Sequence, residues 1–169
     1  MKANRTKIVV ALGSNVNQEA HIEQAKSMLE ATFNDMFFGT SLWTEPIGMK
    51  SDNFLNVLGV GYTSVNKERT IQALKNIEHR CGRRVAASRK GIIAIDIDLL
   101  LFGAERLHEV DWDRRYIQNL LQQLGVSVDW ALEKNKAQWT ECVCDSWKFF
   151  IGQEFIADGL GARYESKLE

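Results

Sequence analysis

Proline, cysteine and long apolar runs are scarce in this chain of 169 residues, which contains one proline and three cysteines. The apolar run behind the basic N-terminus ends at Gly13 and is too short for a signal-peptide core or a membrane-spanning helix. Cys142 and Cys144 lack a second Cys/His pair at zinc-ligand spacing, so both are interpreted as structural. Without a disulfide framework, we expect a reducing, cytoplasmic setting.

An excess of charge of one sign is also missing, because 21 basic and 22 acidic side chains leave a formal charge of -1. Neither nucleic acid nor an anionic membrane is therefore an expected partner, and an anionic ligand must be met by local arginines and metal. The G-x-x-x-x-G-K-[ST] and G-x-G-x-x-G patterns are absent from the sequence, which excludes Walker-type and Rossmann-type nucleotide binding.

Hydrophobic periodicity predicts a βαββαβ order of elements. In chain order we predict a strand over 7–12, a helix over 18–33, strands over 36–43 and 54–63, a helix over 67–81 and a strand over 92–102. This order is that of a ferredoxin-like α+β sandwich, in which helices pack on an antiparallel sheet. Asn66 is predicted to cap the second helix, and Ser14 or Asn17 the first.

The chain is predicted to form one domain over 1–124, in which 111–124 is helical. Residues 125–169 are predicted to be an aromatic-rich helical or irregular extension packed on the same domain, because aromatic side chains at that density avoid water.

Two carboxylates on the last predicted strand are the strongest chemical signal. Residues two apart on a strand point to the same face, about 6.6 Å apart, so Asp96 and Asp98 project together while Ile95 and Ile97 face the core. An unpaired carboxylate beside apolar surface is costly, so the pair needs a cation. Carboxylate oxygens together with phosphate oxygens are suitable ligands for magnesium. The alternative is a pair of salt bridges to nearby arginine or lysine.

A basic segment, residues 83–91, precedes that strand and has no hydrophobic period, so it is predicted to be a mobile loop. Its cationic side chains are able to clamp a polyphosphate in phosphoryl transfer. A solvated surface loop is the alternative. The cationic residues are Arg83, Arg84, Arg89 and Lys90.

Five short motifs occur in a fixed order between residues 12 and 102. They are LGSN (Leu12 to Asn15), T-x-P-x-G (Thr44, Pro46, Gly48), FLN (Phe54 to Asn56), E-x-x-x-G-R (Glu78, Gly82, Arg83) and DIDLLLF (Asp96 to Phe102). In order and spacing this set resembles 6-hydroxymethyl-7,8-dihydropterin pyrophosphokinase, an enzyme family of folate biosynthesis.

The resemblance implies that pyrophosphate passes from the co-substrate ATP to the pterin hydroxymethyl group, leaving AMP, with two magnesium ions. It implies magnesium ligation by Asp96 and Asp98, which with Arg83 and Arg89 would be the catalytic residues. The implied pterin-binding residues are Thr44, Phe54, Asn56 and Tyr116. The implied nucleotide-binding residues are Glu78, Arg84, His108 and Arg114. Without the resemblance, Phe54 and Asn56 would be interpreted as a core phenylalanine and a buried turn asparagine.

The sequence departs from the family pattern directly before the carboxylate strand. There the family has Trp-Gly-Pro-Arg, whereas this chain has Lys90-Gly91-Ile92-Ile93. Either Arg84, Arg89 or Lys90 takes the place of that arginine, or the rate of transfer falls.

Two other functions remain open. The first alternative to an enzyme is a non-enzymatic relative that binds pterin or nucleotide. The second is a domain whose aromatic tail contacts a protein partner. A monomer is expected, with a homodimer as the alternative.

Overall fold

An antiparallel six-stranded sheet organises the protein in a computed structural model, which describes residues 5–48 and 50–125. The strands are β1 (Thr6–Ser14), β2 (Asn34–Phe38), β3 (Leu42–Thr44), β4 (Phe54–Thr63), β5 (Asp96–Phe102) and β6 (Glu105–Arg106). The helices are α1 (Gln18–Thr32), α2 (Lys67–Arg80), α3 (Val85–Ser88), α4 (Glu109–Trp112) and α5 (Arg115–Gln123).

The strand order β2-β4-β1-β5-β6 confirms the predicted ferredoxin-like arrangement. Strand β1 lies at the centre and pairs antiparallel with β4 on one side and β5 on the other. The short strands β2 and β3 both pair with β4, so together they occupy the place of one strand of the βαββαβ order.

Alternation along β1 and β5 separates the two faces of the sheet. Side chains such as Ile8 and Leu12 of β1 and Ile97 of β5 belong to the core cluster that α1 and α2 complete. Burial of each such side chain stabilises the fold by about 1.5–3 kcal/mol. Asp96 and Asp98 alternate with these residues and therefore lie on the other face, as predicted.

Helix α2 begins where the sequence predicts and ends at Arg80, one residue before the predicted end. The Asn66 side chain accepts a hydrogen bond from the Arg69 backbone N–H at 3.0 Å, as expected of an N-cap. After the helix, Gly82 adopts a φ of 89°, a left-handed conformation that glycine tolerates best. By contrast, Asn17 occupies the N-cap position of α1 without a side-chain cap bond, and the Ser14 hydroxyl donates to the Val16 carbonyl instead.

Four predicted boundaries are wrong in detail. The predicted single strand over 36–43 is two strands, because strand β2 ends at Phe38 and β3 begins at Leu42. Between them, the Gly39 N–H donates to the Leu58 carbonyl. The basic segment contains the one-turn helix α3, closed by a bond from the Ser88 N–H to the Arg84 carbonyl. The helix over 111–124 is two helices. Strand β5 starts at Asp96, since Ile93 bonds to Asn15 rather than to a neighbouring strand.

The helices are short compared with a lipid bilayer. None of those in the described residues combines the length and apolar character of a membrane span. The predicted packing of 125–169 on the domain concerns residues that, apart from Gly125, lie outside the described part of the chain.

Candidate active site

A row of residues crosses three strands on the face of the sheet that carries the two carboxylates. Asn56 of β4 pairs in register with Gly13 of β1, and Gly13 pairs with Asp96 of β5. A side chain at Gly13 would lie 3.2 Å from the Asn56 amide oxygen and 3.6 Å from the Phe54 ring. The glycine therefore leaves open the space between the amide and the carboxylate.

That space belongs to an open cavity of about 260 Å³. Six of the predicted pterin-side and carboxylate residues line it, and so does the predicted nucleotide-side residue Arg114. The six are Thr44, Phe54, Asn56, Asp96, Asp98 and Tyr116. The fold thus gathers these residues from β3, β4, β5 and the α4–α5 region at one place.

The pterin-side residues form a connected edge of the cavity. The Asn56 amide nitrogen donates to the Thr44 hydroxyl at 2.8 Å, which fixes the orientation of the amide. Phe54 and Tyr116 are both half-buried, so each ring keeps some surface open. Arg114 donates to the Tyr116 hydroxyl at 3.3 Å, and this bond raises the pKa of Arg114.

The two carboxylates have different partners. Asp96 forms an ion pair with Arg83, whose guanidinium also lies 3.3 Å from the Glu78 carboxylate. Burial alone would lower the pKa of Arg83, but the hydrogen bond and charge of Asp96 outweigh it and raise that pKa. Arg83 thus lies at the carboxylate pair, although it is not in the described lining of the cavity.

Asp98 faces the segment that follows β6. The His108 ring lies 3.9 Å from the Asp98 carboxylate, and a second 3.9 Å contact joins it to Asp111. Burial raises the pKa of Asp98, and the neighbouring charge of Asp96 raises it further. Both effects penalise the ionised form, so a cation at Asp98 would be favoured.

The donor atoms of the cavity suit a hard divalent cation. Four carboxylates line it, whereas Arg114 is the one cationic side chain in its described lining. The four are Glu45, Asp96, Asp98 and Asp111. Oxygen ligands and an excess of negative charge suit magnesium. Asp96 and Asp98, two residues apart on β5, are residues that could hold it.

Glu78 is buried against the carboxylate strand, and its predicted contact with nucleotide stays a prediction. It is 3% exposed and does not belong to the described lining of the cavity. Its carboxylate accepts from the Ile97 backbone N–H at 2.8 Å and from the Lys75 ammonium at 2.8 Å. Since Ile97 lies between the two aspartates, Glu78 fixes the strand that presents them.

Replacing Glu78 with leucine is expected to destabilise the protein by about 3 kcal/mol, because it leaves the Ile97 N–H unsatisfied and removes a buried charge from its partners. Glu78→Gln should cost less, since its amide oxygen is still able to accept from Ile97. Lys75→Met removes only an exposed partner and should change the free energy of unfolding by at most about 1 kcal/mol. Urea denaturation measures all three, and a Glu78→Leu effect no larger than that of Lys75→Met would contradict this role.

Arg84 and Arg89 lie on the exposed basic segment outside the described cavity lining. Arg84 donates to the carbonyls of His79 and Arg83, and Arg89 ends the short helix α3. Their predicted contacts with ATP stay predictions.

Three polar residues at or beside the cavity were missed by the sequence analysis, and they are Asn15, Glu45 and Asp111. The Asn15 side chain donates to the Gly91 carbonyl and accepts from the Ile93 N–H, both at 2.7 Å, so it holds the segment that leads into the carboxylate strand next to the end of β1. Asp111 lines the cavity and pairs with Arg114 at 2.9 Å. The three-residue spacing of His108, Asp111 and Arg114 was a signal that these side chains share one face of a turn.

Comparison with known proteins identifies the family of the chain. Residues 9–126 match the family model described as 7,8-dihydro-6-hydroxymethylpterin-pyrophosphokinase. The chain is also 28% identical to a folate synthesis bifunctional protein of Arabidopsis thaliana, over 90% of this chain and 35% of that relative. The chain therefore spans about a third of the length of the curated relative that it matches. Because the family model covers more than half of the chain, this protein belongs to the 7,8-dihydro-6-hydroxymethylpterin-pyrophosphokinase family.

Proposed function

We propose that this protein transfers the β,γ-pyrophosphoryl group of ATP to the hydroxymethyl oxygen of 6-hydroxymethyl-7,8-dihydropterin and releases AMP. The observation that carries the proposal is the cavity in which an amide and two aromatic rings lie beside a carboxylate pair. Membership of the pyrophosphokinase family supports the same reaction.

The pterin would occupy the side of the cavity formed by β3, β4 and α5. The Asn56 amide offers a donor and an acceptor of the kind that the edge of a pterin ring requires. Phe54 and Tyr116 offer aromatic faces for stacking. The open space over Gly13 would allow the ring to approach the sheet closely.

The phosphates would lie on the β5 side, next to Asp96 and Asp98. Two magnesium ions, when bound, would neutralise the phosphate charge there and orient the transferring group. Asp96 and Asp98 would hold them, and Arg114 adds a fixed positive charge in the cavity lining. Arg83 already contacts Asp96, so it is placed to contact phosphate once a cation takes over that carboxylate.

The reaction needs no covalent enzyme intermediate. The hydroxymethyl oxygen attacks the β-phosphorus of ATP, the bond from that phosphorus to the α,β-bridging oxygen breaks, and AMP leaves with the bridging oxygen. The hydroxyl proton passes to water. The contribution of the protein is to align the two substrates and to stabilise negative charge, as in other phosphoryl transfers.

Product analysis tests the proposal directly. Protein, ATP, magnesium and the pterin alcohol are incubated, and the nucleotides are separated by chromatography. We expect one AMP for each pterin consumed, with neither ADP nor free phosphate. Formation of ADP would contradict transfer of a pyrophosphoryl group.

A second candidate function is binding of pterin or nucleotide without transfer. The observation in its favour is the isoleucine at position 93, which belongs to the lining of the cavity that contains the carboxylates. Calorimetric titration with the pterin alcohol and with a non-hydrolysable ATP analogue separates the two functions. Tight binding of either ligand without AMP formation would favour the binding module and overturn the enzyme.

A further inference from the structure

We propose that Asp98, His108 and Asp111 form a mixed nitrogen and oxygen site for a divalent transition-metal ion. One donor atom from each residue lies within 4.8 Å of the donor atoms of the other two. Ligands that share an ion at about 2.0–2.2 Å lie about 3–4 Å from one another, so small side-chain rotations would complete the site. His108 and Asp111 are ligands in addition to the carboxylate pair of β5.

His108 makes no direct hydrogen bond to either carboxylate. Its Nε2 lies 3.9 Å from an oxygen of Asp98 and its Nδ1 lies 3.9 Å from an oxygen of Asp111, and both separations are too long for hydrogen bonds. An ion would be bound by one of the two ring nitrogens, and one of them already lies within 4.8 Å of an oxygen of each carboxylate. A rotation of the ring would therefore bring the three donor atoms to one ion.

The charge around these residues favours a cation there. Asp96 has Arg83 as its ion-pair partner, whereas Asp98 is only 31% exposed and faces the half-exposed His108 ring. The Asp111 side chain is 16% exposed and forms an ion pair with Arg114. Arg114 is the one cationic residue in the described lining of the cavity, so its charge also serves the other carboxylates there. An ion would relieve the repulsion between Asp98 and Asp111.

Two short stretches of backbone supply all three ligands. Asp98 comes from β5, and the Asp111 N–H donates to the His108 carbonyl at 2.8 Å, which places both side chains on one turn. Arg114 contacts Asp111 at 2.9 Å and thereby orients its carboxylate, as groups around metal ligands commonly do. The site therefore depends on the fold rather than on a bound nucleotide.

Imidazole changes which metal the site prefers. Magnesium favours oxygen ligands, whereas manganese, cobalt and zinc accept one imidazole together with carboxylates. We therefore expect Mn²⁺ and Co²⁺ to bind the protein without nucleotide at least about 10-fold more tightly than Mg²⁺.

Metal titration of the 169-residue chain, with no ATP or pterin present, tests this proposal. Binding of Mn²⁺ is followed by electron paramagnetic resonance, with Mg²⁺ as competitor. His108→Ala and Asp111→Asn should each weaken Mn²⁺ binding about 10-fold or more, whereas His79→Ala, which removes an exposed histidine on α2, should leave it unchanged. Zn²⁺ should shift the ring ¹⁵N resonances of His108 and leave those of His79 in place.

Equal Mn²⁺ affinity in the wild type and His108→Ala would overturn the proposal and leave the carboxylate pair as the sole ligands. Undetectable Mn²⁺ binding without nucleotide would overturn it as well. Since the titration contains no substrate, its outcome is independent of whether AMP is formed.

Discussion

Converting Asp96 to asparagine is expected to lower kcat/KM for AMP formation by at least about 1,000-fold. A metal ion contributes several kcal/mol of charge stabilisation to a transferring phosphoryl group, and each 1.4 kcal/mol corresponds to a factor of ten. The amide keeps the shape of the carboxylate but loses its charge. Steady-state assays at saturating magnesium measure the effect.

The fold should survive this change, because Arg83 keeps Glu78 as a charged neighbour and the Asp96 side chain is 38% exposed. Thermal unfolding checks this. Asp35→Asn is a matched control, since Asp35 is an exposed carboxylate on β2 that also pairs with an arginine, Arg5. Activity should be unchanged in that variant. Full activity in Asp96→Asn would exclude a role for Asp96 in transfer.

Local sequence patterns predicted the strands and helices around this site and the faces of the strand that carries the carboxylates. The two-residue period of a strand placed Asp96 and Asp98 on one face and Ile95 and Ile97 on the other, as the structure has them. Order of elements and the cap at Asn66 also depend on near neighbours in sequence, and both were predicted. Roles that follow from a residue's own strand or helix are therefore accessible without a structure.

The missed features depend on contacts between distant segments. Burial of Glu78 follows from its bond to Ile97, 19 positions along the chain, and the role of Asn15 follows from a segment 76–78 positions away. The division of the predicted strand into β2 and β3 follows from the separate pairing of each with β4. A periodicity of 2 or 3.6 residues contains no information on such pairings.

The local departure from the family pattern yields the second large prediction, a gain of activity in Ile93→Arg. Ile93 occupies the position at which the family pattern has an arginine, and it belongs to the lining of the cavity that also contains Asp96 and Asp98. Asn15 holds the Ile93 backbone through its side chain and its own N–H, so the new side chain would extend from a fixed point. We expect kcat to rise about 100- to 1,000-fold, the effect of one positioned donor on a developing charge.

The open, acidic cavity has room for the arginine side chain of this variant. Ile93 is 8% exposed, but the cavity is open and acidic, so a guanidinium is able to reach solvent and carboxylates. In the absence of metal the new arginine would pair with Asp96 or Asp98, and the assay therefore needs saturating magnesium. Ile93→Met is the matched control, because it changes shape without adding charge and should leave kcat within about 3-fold of the wild type. An unchanged kcat in a folded Ile93→Arg protein would mean that other cationic groups, Arg83 or Arg114 among them, already stabilise the transferring phosphates.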